Sequence, residues 1–157
     1  IHGQGFMTEK GNIQTLFAER RIYARFSKSL DYHLDAARDS GEHTLIGVVR
    51  PHSFGLSDSE LRRLYDKGKI DYFEAFESMD TASKSKLSEE RAKRLGIPGI
   101  YVSNGHRLGD MATAHIELDA PSISSYKNLK ERDLAKAVKG AIRSGQFRNS
   151  PKRSLSL

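Results

Sequence analysis

The sequence predicts an α+β fold that is predominantly α-helical: a small strand-containing N-terminal part, then a helical part holding a helix-turn-helix. Three observations carry this. Two short β-branched or apolar runs, Asn12–Phe17 and Thr44–Val49, fall in the first third of the chain. A series of capped stretches with apolar residues at three- and four-residue steps occupies the rest. The 157 residues, 37% apolar and 29% charged, are enough for one domain or two small ones with a real core. The absence of cysteine excludes disulfide scaffolds, thiolate zinc sites and Cys nucleophiles. No apolar run approaches the ~18 residues of a membrane span.

The elements follow in order. The chain opens on Ile1 with Met at position 7, so it reads as a fragment of a longer parent protein. After the strand at Asn12–Phe17, the stretch from Glu19 to Asp39 lacks Gly and Pro. Its Tyr23, Phe26, Leu30, Leu34 and Ala37 form one helical stripe. Thr44–Val49, closed by Pro51, is the strongest strand signal. Ser57 and Glu60 form a capping box for a helix carrying Leu61, Leu64 and Tyr65. Asp71 is read as the cap of a second helix with Phe73, Phe76 and Met79 inward, and Thr81–Lys86 as a loop. Ser88 opens a short helix that stops at Gly96. Ser124 or Ser125 opens the last helix, with Leu134, Val138 and Ile142 inward, ending near Gly145. The expected organisation is a partial α/β segment over 1–56, a helical helix-turn-helix domain over 57–146, and a flexible basic tail over 147–157.

The net charge of +6 is unevenly spread. Residues 1–56 contribute +1, residues 57–120 −2 and residues 121–157 +7. Basic stretches at 84–107 and 127–153 hold the excess, which suits a polyanionic partner. The first of them, Ser88–Leu108, meets the demands of a helix-turn-helix. Ala92 permits a close helix crossing, Gly96 tolerates left-handed φ at the turn, and Leu95, Ile97 and Val102 plug the core. Pro98 fits the first turn of a second helix. That helix would present Gly99, Tyr101, Ser103, Asn104, His106 and Arg107 to a major groove, where Asn and Arg pair with base edges. The rival reading of the same residues is a β-hairpin turning at Asn104-Gly105.

RAKRLGIPGIYVSN followed by HRL resembles the helix-turn-helix of the ParB family of partition proteins. IDYFEAFESM resembles the helix ahead of that motif, and Glu19-Arg20-Arg21 with Ala24 resembles the family's phosphate-contacting box. AARDSGEHTLIGVVR with LSDSEL, and PSISSYKNL downstream, are similar to further stretches of the family. The resemblance implies sequence-specific binding of duplex DNA by a homodimer in the bacterial cytoplasm, associated with nucleoid or plasmid, with a partner protein in the parent chain's pathway. It implies that Lys84, Lys86, Lys93, Arg94, Lys127 and Lys130 meet phosphates and that Glu19, Arg20 and Arg21 hold a nucleotide such as CTP; no metal site is expected, since no two histidines fall at a recognisable metal spacing.

Two other classes stay open. Six histidines in a basic, Cys-free chain allow a metal-independent nuclease or NAD-using transferase, with His52, His106 and His115 as proton-transfer candidates. A plain protein–protein module, whose basic tail meets an acidic partner, fits Phe147, Arg148, Lys152 and Arg153 equally well.

Overall fold

The computed structural model describes residues 2–23, 29–77, 81–102, 114–118 and 129–151. Strands β1 (His2–Thr8), β2 (Gly11–Ala18), β3 (Leu45–Val48), β4 (Tyr72–Glu77) and β5 (Gly99–Val102) form one sheet in that order. β1, β2 and β3 pair antiparallel, whereas β3, β4 and β5 pair parallel. The helices α1 (Leu30–Asp39), α2 (Asp58–Asp66) and α3 (Ala82–Leu95) connect them. Strand β6 (Ala114–Leu118) and strand β7 (Phe147–Pro151) make a separate antiparallel pair, with α4 (Glu131–Arg143) between them in sequence.

Alternation along the strands divides the core in two. Ile13, Ile46, Val48, Phe73 and Ala75 pack against Leu34 of α1, Leu61 and Leu64 of α2, and Ala92 of α3. Leu45, Tyr72 and Ile100 point to the other face, where Ile142 and Val138 of α4 and Ile116, Leu118 and Phe147 cover them. The sheet therefore lies between a helical layer and a layer made of α4 with β6 and β7.

This corrects the expected fold: the chain is α+β with a five-stranded mixed sheet and is not predominantly helical. Ile70–Met79 was expected as a helix and contains β4 instead. A parallel strand buried on both faces reads as a nearly continuous apolar run, which periodicity cannot tell from a buried helix. Asp71, expected as a helix cap, has its carboxylate buried among arginines. Gly99–Val102, expected in a recognition helix, pairs with β4 as a strand, so no helix-turn-helix forms there. Strands from before residue 56, β1 to β3, and from after residue 57, β4 and β5, belong to one sheet. Phe147–Pro151, expected in a flexible tail, is β7.

Other local signals hold. Ser57 and Glu60 make the capping box, with Ser57 N–H donating to Glu60 Oε2 at 2.8 Å. Gly96 ends α3 at φ 61°, the left-handed C-cap foreseen for it. α3 starts about two turns earlier than expected and takes in most of Thr81–Lys86, read as a loop, because Thr81 caps it by accepting from Lys84 N–H. α1 begins at Leu30 under a Ser29 cap, while residues 19–23 are not helical.

Candidate functional site

Strand β5 is the edge of the sheet, and its outer backbone groups need partners. Asn149 of β7 supplies them. Its Nδ2 donates to Gly99 O at 2.8 Å and its Oδ1 accepts from Tyr101 N–H at 2.9 Å. Gly99 and Tyr101 flank Ile100, so one side-chain amide makes the two bonds that a residue of a parallel neighbouring strand would make. The edge is closed at this point, and strand addition there would require displacing β7. Replacing Asn149 by Ala strands a half-buried donor and acceptor, an expected loss of about 1–3 kcal/mol. Urea denaturation measures it, and hydrogen exchange should show the Tyr101 amide losing protection.

Beside this closure lies a cleft of about 470 Å³, between the C-terminal half of α3 and the α4–β7 turn. Ala75, Ala92, Ile97, Pro98 and Phe147 form its apolar walls. Its floor depends on Gly99: a Cβ there would meet Ala75 Cβ at 2.8 Å and Ala92 Cβ at 3.1 Å, so a small residue lets α3 approach the sheet.

The polar groups of the cleft are held by bonds to the framework. Tyr101 Oη donates to Glu89 Oε1 at 2.6 Å. Burial, and then the bond to Glu89, push the Tyr101 phenol up to about 12, so it stays a donor far above neutral pH. Phe76 packs on the same ring at 4.9 Å between centroids. On the opposite wall Arg143 donates to Asp71 Oδ1 at 2.8 Å and lies over the Tyr65 ring, 5.0 Å from its centroid. Arg62 stands 5.3 Å from the same ring. Lys93, one turn beyond Glu89 on α3, is exposed at the rim.

Arg143 closes a basic stripe of α4 formed by Arg132, Lys136, Lys139 and Arg143 at four- and three-residue steps. Arg132 bonds Glu42 Oε2 at 2.5 Å, and Lys139 Nζ bonds the carbonyls of Glu42 and Thr44, each at 3.2 Å. Burial, with Arg38 and Arg143 nearby, lowers the Lys139 amine below its ordinary value.

The residues expected to meet DNA do not share one surface role. Lys84 and Lys86 are exposed on α3, with Lys86 3.9 Å from Glu90, and Lys130 is exposed at the start of α4. Arg94 pairs with Asp58 at 2.9 Å, and Arg91 pairs with the same carboxylate at 2.8 Å while donating to Phe54 and Leu56 carbonyls. These two guanidiniums, Arg94 first, hold the Asp58 carboxyl below its ordinary range. Lys93, Gly99 and Tyr101 belong to the cleft. Ser103, Asn104, His106, Arg107 and Lys127 lie outside the described residues.

The expected nucleotide box has a local role. Glu19 and Arg20 N–H groups donate to Ser40 O at 3.0 and 3.1 Å, and the Arg20 guanidinium bonds Asp39 O, so both close the C-terminal end of α1. Arg21 lies 6.0 Å from the Tyr23 ring centroid. Of the three histidine candidates, His52 follows β3, its Nδ1 2.8 Å from Ser88 Oγ. His115 contributes backbone to β6, its side chain lying outside the described residues along with all of His106. Among the described residues no three His, Asp or Glu side chains gather in a metal-binding group, and no helix is long and apolar enough to cross a membrane.

Sequence reasoning missed Tyr65, Glu89, Arg143 and Asn149 as members of one site. Only Asn149 left a trace, in the two-residue step from Phe147 that puts both on one side of a strand. Comparison with known protein families, with curated proteins and with solved structures finds no match to this chain.

Proposed function

We propose that this domain is a binding module whose cleft, bounded by α3, β5 and the α4–β7 turn, takes one compact organic ligand with a flat apolar part. The observation that supports this is the pairing of apolar walls, Ala92, Ile97, Pro98 and Phe147, with polar groups already fixed by the framework: Tyr101 on Glu89, and Arg143 on Asp71. Concave, largely apolar sites with a few oriented polar groups are the usual form of small-ligand sites. A strand-adding peptide fits less well, because Asn149 already occupies the edge of β5.

A fluorescence titration with the neutral aromatic probe N-phenyl-1-naphthylamine tests the reading. Saturable binding is expected, weakened roughly tenfold by Phe147→Ala, which removes one wall and about 2 kcal/mol or less of apolar contact. Ser144→Trp, at an exposed position on the rim, should also weaken it by filling the opening. Titration with no saturable phase, or binding indifferent to both substitutions, would sink the proposal.

Duplex DNA binding of the partition-protein type, by a homodimer, is the second reading. It draws on the exposed Lys84, Lys86 and Lys130, and it needs a groove-reading element other than residues 99–102. A mobility-shift series over salt concentration separates the two: phosphate-driven binding must fall steeply as salt rises.

A further inference from the structure

Resting on the cleft as the binding site, we infer that its ligand is dipolar, with an acidic group at one end of a flat body and an ammonium or other strong donor at the other. The charges of the cleft are sorted along its length. Arg143 bonds the carboxylate of Asp71 and the carbonyl of Ile70, just ahead of β4. It therefore marks the end of the cleft nearest the starts of the parallel strands. Glu89 is tied to Tyr101, the third residue of β5, and so lies toward the other end. α3 runs back from the end of β4 to the start of β5, which carries Lys93, one turn after Glu89, to the Arg143 side.

The balance at the basic end favours an incoming acid. Asp71 is shared between Arg38 and Arg143, two guanidiniums on one carboxylate, and Lys139 bonds the nearby carbonyls of Glu42 and Thr44. Among the residues that line the cleft, Arg143 and Lys93 are the cations and Glu89 is the carboxylate. At the other end the Glu89 carboxylate accepts from the Tyr101 hydroxyl on one oxygen, Oε1, and Oε2 makes no bond to the described residues. The C-terminal turns of α3 and α4 lie at the basic end, where Lys93 and Arg143 offset the negative ends of both helix dipoles. A purely anionic ligand would leave Glu89 unanswered, and a purely cationic one would face Lys93 and Arg143.

Three matched fragments test this by ligand-observed NMR titration at neutral pH. 4-(Aminomethyl)benzoate carries both charges on one ring, benzoate only the acid, and benzylamine only the ammonium. The zwitterion should bind in the millimolar range expected for so small a ligand, and more tightly than either control by about fivefold, the scale of one partly exposed ion pair. Lys93→Gln should weaken benzoate and the zwitterion while leaving benzylamine unchanged. Glu89→Gln, which keeps an acceptor for Tyr101, should weaken benzylamine and the zwitterion while leaving benzoate unchanged. Equal affinity for all three, or a parallel loss of all three in either variant, overturns the dipolar assignment; if Phe147→Ala still weakens them, the cleft itself stands. Absence of binding by any of the three also overturns the assignment, and the naphthylamine titration then decides the cleft separately.

Discussion

Gly47→Ala should destabilise the domain by about 3 kcal/mol or more, at the upper end of what overpacking a core does. A Cβ at Gly47 would sit 2.2 Å from two carbons of the Tyr72 ring, where ordinary contact begins near 3.4 Å. Gly47 and Tyr72 are register partners on the parallel strands β3 and β4, and the ring lies across the glycine. It has nowhere to go: Tyr72 is 0% exposed, sealed between the sheet and the layer of α4, β6 and β7. The ring itself is the obstacle, and its hydroxyl has no hydrogen-bond partner among the described residues. Tyr72→Phe should therefore be neutral or slightly stabilising, since it removes an unsatisfied buried group. A double-mutant cycle by chemical denaturation checks the cause. In a Tyr72→Leu background the added penalty of Gly47→Ala should fall to about 1 kcal/mol or less, a coupling expected only of residues in contact. An undiminished penalty would place the strain in the backbone instead.

That contact also shows what was legible in the sequence and what was not. Thr44–Val49 announced a strand through its β-branched residues, and a glycine inside a strand signals a close approach. Which ring approaches is a fact of the register between β3 and β4, and β4 itself was misread. Tyr72-Phe73-Glu74-Ala75 is buried on both faces, so the two-residue alternation that marks a half-buried strand is absent. The capping box at Ser57 and the stop at Gly96 were readable because both are satisfied within a few residues. The cleft was not, because its groups come from residue 65 to residue 149 and meet only through the sheet order. Residues 88–102 illustrate the limit. Ala92, Gly96 and Ile97 carry small, left-handed and apolar requirements that a helix-turn-helix and a helix-to-strand crossover share. The structure spends them on the second: Ala92 and Gly99 let α3 lie close on the sheet, and Ile97 enters the helical-side core.

Asp71→Asn should weaken folding by about 3–5 kcal/mol, the range for removing one partner of a buried ion pair and leaving the others uncompensated. The carboxylate is 0% exposed and accepts from three directions: Arg38 Nη2 at 2.6 Å, Arg143 Nη1 at 2.8 Å and the Ile46 N–H at 2.9 Å. It joins α1, β3 and α4 at one point, so its loss reaches both layers. An amide of the same shape keeps one acceptor but turns an N–H toward a guanidinium, and the negative charge that answers both arginines is gone. Against a typical total of 5–15 kcal/mol this is a large fraction, visible as a fall of roughly 6–20 °C in Tm. The pattern of loss is as telling as its size. Because Arg143 and Lys139 tie α4 to this corner, hydrogen exchange should show α4 losing protection ahead of β2 and β3, and the cleft probe should lose affinity as Arg143 is released. Arg38→Met with Asp71→Leu, which replaces the pair by apolar groups of similar size, should recover part of the stability but not the cleft. A loss below about 1 kcal/mol in Asp71→Asn would mean that solvent already screens the pair and that α4 is held by Ile142 and Val138 alone.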